Sequence, residues 1–154
     1  MPRGVRRLSA ACLRRLEAAD LILHVGDFVA LSVLEELQRL GPVEGVLGNM
    51  DLPDVAEMLP ERRVVDIGGV RIGMVHDAGP SKGRLERMRL RFPEADAVVF
   101  GHSHIALHEE RDGFQIFNPG SPTDRRRQPR HTMGIAEVSR GTVAFRHLVV
   151  DPPR

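Results

Sequence analysis

The segment Ala97-Val98-Val99-Phe100-Gly101-His102-Ser103-His104 reads as a buried strand that stops in a glycine turn and presents two imidazoles just beyond it. Three other apolar runs follow the same plan. Leu21-Ile22-Leu23-His24-Val25 leads into Gly26-Asp27, Val43 to Leu47 leads into Gly48-Asn49-Met50-Asp51, and Ile72-Gly73-Met74-Val75 leads into His76. Short apolar runs bounded by such turns read as buried strands. In a parallel α/β sheet the carboxyl ends of the strands face one crevice, so side chains distant in sequence converge there. Asp27, Asn49, His76, His102 and His104 are therefore predicted to share a site.

The donor types narrow the chemistry. One carboxylate, one amide oxygen and three imidazoles, with no thiolate, form a mixed O/N set that suits Mn, Fe, Co, Zn or Ni better than Ca or a structural cysteine-zinc site. Taken singly, a Gly-Asp or Gly-Asn is usually a turn, and a lone His is usually a satisfied histidine. The fourfold recurrence of strand, turn and ligand favours a metal site.

The 154 residues fit one domain, 1–154, able to bury roughly 68–70% of the unfolded chain's surface. A hydrophobic content of 42% with 28% charged residues is that of an ordinary globular protein. No run approaches the roughly 18 apolar residues of a membrane span. The basic start Met1-Pro2-Arg3-Gly4-Val5-Arg6-Arg7 lacks the apolar stretch of a secretory signal, which makes the cytoplasm the expected location. Cys12 is the single cysteine, which excludes an internal disulfide, and it is expected as a small core residue. A formal charge of +1 gives no dedicated nucleic-acid or membrane surface.

Ser9 is the expected N-cap of a first helix carrying Leu13, Leu16 and Ala19 on one face. A second helix from about Leu31 places Val33, Leu34, Leu37 and Leu40 at helical spacing and stops at Gly41-Pro42. Asp54 to Met58 forms a short turn, and Arg63 to Ile67 and Val70 to Val75 flank the hairpin signal Gly68-Gly69. The arginine-rich stretch from Gly83 to Phe92 reads as a helix solvated on one side. Beyond His104 come short strands, Leu107 to Arg111, Phe114 to Asn118, Thr132 to Val138 and Thr142 to Val150. Mixed sheets with helices outside them are the natural packing for that order.

The blocks Gly26-Asp27, Gly48-Asn49-Met50-Asp51, His76, Gly101-His102-Ser103-His104 and Asn118-Pro119-Gly120-Ser121-Pro122, in that order, resemble the calcineurin-like metallophosphoesterases, specifically their small single-domain bacterial and archaeal phosphodiesterase branch. The resemblance runs from about Ser9 to Val150. It implies a four-layer α/β/β/α sandwich with two mixed β-sheets and a metal site at the carboxyl ends of the strands. It implies two divalent metal ions, Mn first with Ni, Fe, Co or Zn open. Asp27 would bridge the two. Asn49, His76 and His102 would complete one metal position, and His104 would belong to the other. The implied reaction is hydrolysis of a phosphate ester, more specifically a phosphodiester, by a metal-bridging hydroxide attacking phosphorus in line, with no protein nucleophile.

Two departures from the family pattern bear on this expectation. Members begin with a strand ending in Asp-x-His, which supplies two further ligands to the metal that His104 binds, and Met1 to Leu8 contains neither residue type. The favoured account is a start codon printed downstream of the true one. The competing account is a catalytically silent protein-binding scaffold, like the retromer subunit of the same fold, that holds one metal or none. The second departure is Met50, which stands where larger members carry a proton-donating His; a thioether has no proton to give.

Asp51 reads either as an outer carboxylate that orients an imidazole or a site loop, or as the N-cap of the turn after it. Ser121 either touches substrate or orders its loop. Arg125-Arg126-Arg127 and Arg130 either steer phosphate esters or form a solvated loop. His24 is expected as a packed histidine with a hydrogen-bond partner. The expected partner is a small phosphoester, and a homo-oligomer is left open.

Overall fold

A computed structural model describes residues 7–151. The expected lack of a strand ahead of the first helix falls on residues 1–6 and lies outside the described residues. The helices are α1 (Ala10–Glu17), α2 (Leu31–Leu40), α3 (Pro53–Ala56) and α4 (Arg84–Arg91). The strands are β1 (Ile22–His24), β2 (Val43–Gly45), β3 (Arg62–Ile67), β4 (Val70–Val75), β5 (Ala97–Val99), β6 (Leu107–Arg111), β7 (Phe114–Asn118), β8 (Thr132–Ser139) and β9 (Thr142–Val149).

The centre is a five-stranded mixed sheet in the order β3-β4-β5-β7-β6. Its inner strands β4, β5 and β7 run parallel, and antiparallel β3 and β6 form the edges. Both faces are covered, which is why the inner strands read as nearly unbroken apolar runs. Val70, Ile72, Met74, Ala97, Val99 and Phe117 point to one face. There they meet Val46, Leu23 and Val25 from the β1–β2 region, and Val143 and Phe145 from β9. Val75, Val98, Phe100, Phe114 and Ile116 point the other way, onto Leu85 and Met88 of α4 and Phe92 at its C-cap.

Among the described residues β1 and β2 form a parallel pair, and β8 and β9 an antiparallel pair. Two smaller cores lie outside these pairs. Leu34 and Leu37 of α2 pack with Phe28 and Val55, and Cys12 of α1 packs with Met133 and Val150. The layers therefore run α4, five-stranded sheet, the β1–β2 and β8–β9 pairs, then α1 and α2. Each fully buried Leu, Ile, Val or Phe in these layers contributes about 2 kcal/mol.

Local signals behaved as the sequence predicted. The Ser9 hydroxyl oxygen accepts from Cys12 N at 3.2 Å, capping α1, and its own proton goes to Val150 O at 2.7 Å, tying the helix to the end of β9. Cys12 is buried, and that burial pushes its thiol up to about 11. The expected solvated arginine face of α4 is only partly so. Arg84 Nε and Nη2 donate to Gly79 O at 3.2 and 3.1 Å, and Arg87 Nε donates to Ala78 O at 3.0 Å. These guanidinium groups satisfy loop carbonyls, which ties the segment after His76 to the helix. Among the described residues no helix is long and apolar enough to cross a membrane.

Candidate metal centre

Asp27 and Asn49 follow β1 and β2, whereas His76, His102 and His104 follow β4 and β5. The sequence reading placed all of them at strand ends of a sheet. In the fold they come from two facing layers, so the crevice lies between the sheets. One bond spans it directly: His76 Nδ1 donates to Val25 O at 2.7 Å. That donation fixes the tautomer of the ring and turns Nε2 toward the centre.

Four of the five predicted residues meet there. His76 Nε2 lies 2.9 Å from Asn49 Oδ1, 3.2 Å from His102 Nδ1 and 3.3 Å from Asp27 Oδ2. His102 Nδ1 lies 3.1 Å from Asn49 Oδ1. A carboxylate oxygen, an amide oxygen and imidazole nitrogens are all lone-pair groups, and such groups crowd together only around a proton or a cation. Donors held about 2.1 Å from one cation and at right angles to each other stand about 3.0 Å apart, which matches this spacing. Among the described residues no three His, Cys, Asp or Glu side chains gather into a cage by themselves. Asn49 Oδ1, in contact with both His76 and His102, closes the constellation.

His104 stands on its own loop. Its Nδ1 donates to Asp124 O at 2.5 Å, which leaves Nε2 as the available donor to a metal. Burial holds its pKa below the ordinary value against the Asp124 carbonyl, which favours the charged ring, and the Arg126 charge adds to the lowering. Asp27 is near enough for its charge to act on this ring.

Several of these residues occupy strained backbone. Asp27, His102 and His104 have φ of 61°, 64° and 62°, and β-branched Val29 has 74°. Non-glycine residues in this region cost of order 1–3 kcal/mol each and persist where their surroundings fix them. Asp51 supplies that fixing for the first turn. Its Oδ1 accepts from Val29 N at 2.7 Å and its Oδ2 from Gly48 N at 2.7 Å, joining the Asp27 loop to the Asn49 loop. The N-cap of α3 is Leu52. Asp51 thus orders site loops and neither caps that helix nor contacts an imidazole in the hydrogen bonds observed. Gly48 lies so close to the Asp27 turn that a Cβ there would sit 2.2 Å from Asp27 N.

The second turn is fixed by Asn118, which the sequence analysis gave no role of its own beyond ending a strand and opening the Asn118-Pro119-Gly120-Ser121-Pro122 block. It is fully buried. Its Nδ2 donates to Gly101 O at 3.0 Å and to Ser103 Oγ at 3.2 Å, and its Oδ1 accepts from Gly120 N at 2.9 Å. The only signal available in advance was an Asn at the end of an apolar strand, directly before Pro119-Gly120. Ser121 is buried, and its hydroxyl oxygen accepts from Asp124 N at 3.0 Å and from Thr123 N at 3.4 Å. It orders the loop whose Asp124 carbonyl holds His104. His24 is the packed histidine expected. Its ring stacks on Phe28 at 3.7 Å, its Nδ1 accepts from Gly26 N at 3.3 Å, and burial pulls its pKa down to about 3.

At the centre Asp27 and His76 each favour the other's charged form. Burial opposes ionisation of both Asp27 and His76, but their mutual contact outweighs it. The His76 hydrogen bond and the Met50 N–H, 2.9 Å from Asp27 Oδ1, bring the Asp27 carboxyl down to about 2. The hydrogen bonds to Asp27 and Val25, with the Asp27 and Asp51 charges, hold His76 above its ordinary value.

Residues 5–141 match the family model described as the calcineurin-like phosphoesterase superfamily domain. A probable metallophosphoesterase from Methanothermobacter thermautotrophicus is 34% identical over 80% of this chain and 72% of its own. A phosphodiesterase from Methanocaldococcus jannaschii is 29% identical over 68% of each. Wild-type Vps29 from Entamoeba histolytica, solved as a zinc complex, superposes with a TM-score of 0.75 over 98% of this chain and 94% of its own, at 22% identity, a likeness of fold. The match over residues 5–141, most of the chain, places it in the calcineurin-like phosphoesterase superfamily.

Proposed function

We propose that this protein hydrolyses phosphate esters, phosphodiesters foremost, with divalent metal ions held by Asp27, Asn49, His76, His102 and His104. The observation that carries this reading is the meeting of Asp27 Oδ2, Asn49 Oδ1, His76 Nε2 and His102 Nδ1 at spacings of 2.9 to 3.3 Å. Bound there, such ions supply Lewis acidity toward phosphoryl oxygens and make a water acidic enough to lose its proton near neutral pH. One ion would be held by Asp27, Asn49, His76 and His102; a second would draw on Asp27 and His104, the two predicted donors for that position. Manganese is the first choice, with Ni, Fe, Co and Zn accepted by the same O/N donors.

The chain's own part is orientation. Val25 O and Asp124 O set the tautomers of His76 and His104, Asn118 holds the turn that bears His102, and Asp51 locks the Asp27 and Asn49 loops together. Met50, beside Asn49, has no proton for a leaving group, so esters of acidic alcohols or phenols are the preferred substrates. Ser121 Oγ is committed to its loop and supplies no nucleophile.

A second reading, a catalytically silent protein-binding scaffold, draws on the exposed apolar side chains Met50, Leu52 and Ile105, neighbours of the ligand residues Asn49 and His104. Turnover of bis(4-nitrophenyl) phosphate separates the two. The enzyme reading expects manganese-dependent hydrolysis that a chelator abolishes. Tight metal binding with no turnover under Mn, Ni, Fe, Co or Zn would favour the scaffold.

A further inference from the structure

We infer that a groove at the amino-terminal ends of the central strands binds a guanidinium or ammonium group carried on a short aliphatic stem. The groove encloses about 480 Å³ between the five-stranded sheet and the β8–β9 pair. Val70, Asp96 and Gly113 border it, and these begin or directly precede β4, β5 and β7. The predicted ligands His76 and His102 follow the other ends of β4 and β5. The six residues of β4 span about 20 Å between Val70 and His76. The groove is therefore separate from the metal centre.

Its polar wall offers acceptors. His108 and Glu110 alternate onto the same face of β6, where the His108 ring meets Phe117 and Phe145 edge-on at 5.7 and 5.9 Å. Gln115 Nε2 donates to Val143 O at 3.0 Å, so its Oε1 accepts the 2.8 Å bond from His108 Nε2. Nδ1 of the neutral His108 ring is then an acceptor. Asp96 commits Oδ2 to Arg71 N at 2.8 Å and keeps Oδ1, and the Glu110 carboxylate has no partner among the described residues. None of the described residues lining the groove is a lysine or an arginine. The neighbouring arginines lie elsewhere: Arg71 alternates with Val70 onto the α4 side of β4, Arg111 reaches Glu86 of α4 at 3.3 Å, and Arg140 stands in the exposed β8–β9 turn. Val70, Val143 and Phe145 supply an apolar floor. Carboxylates and an imidazole lone pair above such a floor complement a group that only donates, at the end of a hydrocarbon stem.

Amide chemical shifts of the isotope-labelled protein, titrated with butylguanidinium, test this independently of turnover. Saturable shifts centred on Gln115, Thr142, Val143 and Ala144 are expected, with a Kd of about 1 mM. Pentanol, which has the stem without the charge, should bind at least about tenfold more weakly. The double variant Asp96→Asn, Glu110→Gln should weaken butylguanidinium about tenfold. Glu109→Gln removes an equal charge on the opposite face of β6 and should leave the affinity unchanged. The peptide acetyl-Gly-Arg-Gly-amide separates two sources of the cation. Binding as tight as that of butylguanidinium assigns the groove to an arginine side chain of a partner protein, and exclusion of the peptide assigns it to a free amine or guanidine. An unaffected double variant, an equal loss in Glu109→Gln, or the lack of saturable shifts in the groove overturns the site.

Discussion

Replacing His76 by alanine is expected to weaken manganese binding by more than about 100-fold, beyond the 10–100-fold typical when a partner outside the ligand set is lost. The substitution removes a central donor, Nε2, and the bond from Nδ1 to Val25 O that ties the end of β4 to the end of β1. It also changes the pH dependence. His76 is held above its ordinary 6.5, so at low pH a cation must displace the Nε2 proton that bridges to Asp27. Manganese affinity of the unaltered protein should therefore climb about tenfold per pH unit until that proton is gone, then level off. In the variant the climb should flatten. Calorimetry over a pH series reads both effects, and an unchanged affinity in His76→Ala would remove the ring from the site.

The same pair sets the acid-base behaviour of the metal-free fold. A raised His76 stabilises the folded state fully below 6.5 and loses that contribution as pH rises through the folded value. Asp27, lowered from 3.8 to about 2, contributes above 3.8 and loses its contribution as pH falls through about 2. Between 3.8 and 6.5 both contributions are present.

Substitution of Asn118 by alanine is expected to have the next largest effect, although the residue is no metal ligand. Gly101 O, Ser103 Oγ and Gly120 N would lose their buried partner together. At about 1 kcal/mol for each, and more where the group stays dry, the loss should reach about 3 kcal/mol in urea unfolding. The strained φ of His102 and His104 would lose its support, and manganese affinity should fall about 10–100-fold. If Asn118 only shaped the turn before Pro119-Gly120, stability would fall by a few tenths of that and metal affinity would not move.

The contrast between His76 and Asn118 marks what was legible in the sequence. His76 was readable because its residue type at a strand end already points to chemistry. Asn118 was not, because a buried amide serving a neighbouring turn looks, in sequence, like any strand-ending Asn. Element positions were readable for local reasons: the Ser9 cap, the Gly41-Pro42 stop and the Gly68-Gly69 hairpin each act within a few residues. The division of the ligands between two facing layers was not, because a buried strand carries the same apolar run whichever sheet it joins. Asp51 was ambiguous for a related reason. A carboxylate two residues before a short helix suits either a cap or a loop tie, and only the approach of Val29 N and Gly48 N decides between them. The positive φ at Asp27, His102 and His104 left no trace beyond the glycines that precede Asp27 and His102.

The most direct test of the account is the anomalous scattering of a manganese-soaked crystal at the manganese edge. The account predicts a peak between Asp27 Oδ2, Asn49 Oδ1, His76 Nε2 and His102 Nδ1. A fully soaked crystal with no peak there, or with its manganese held by other side chains, would contradict it.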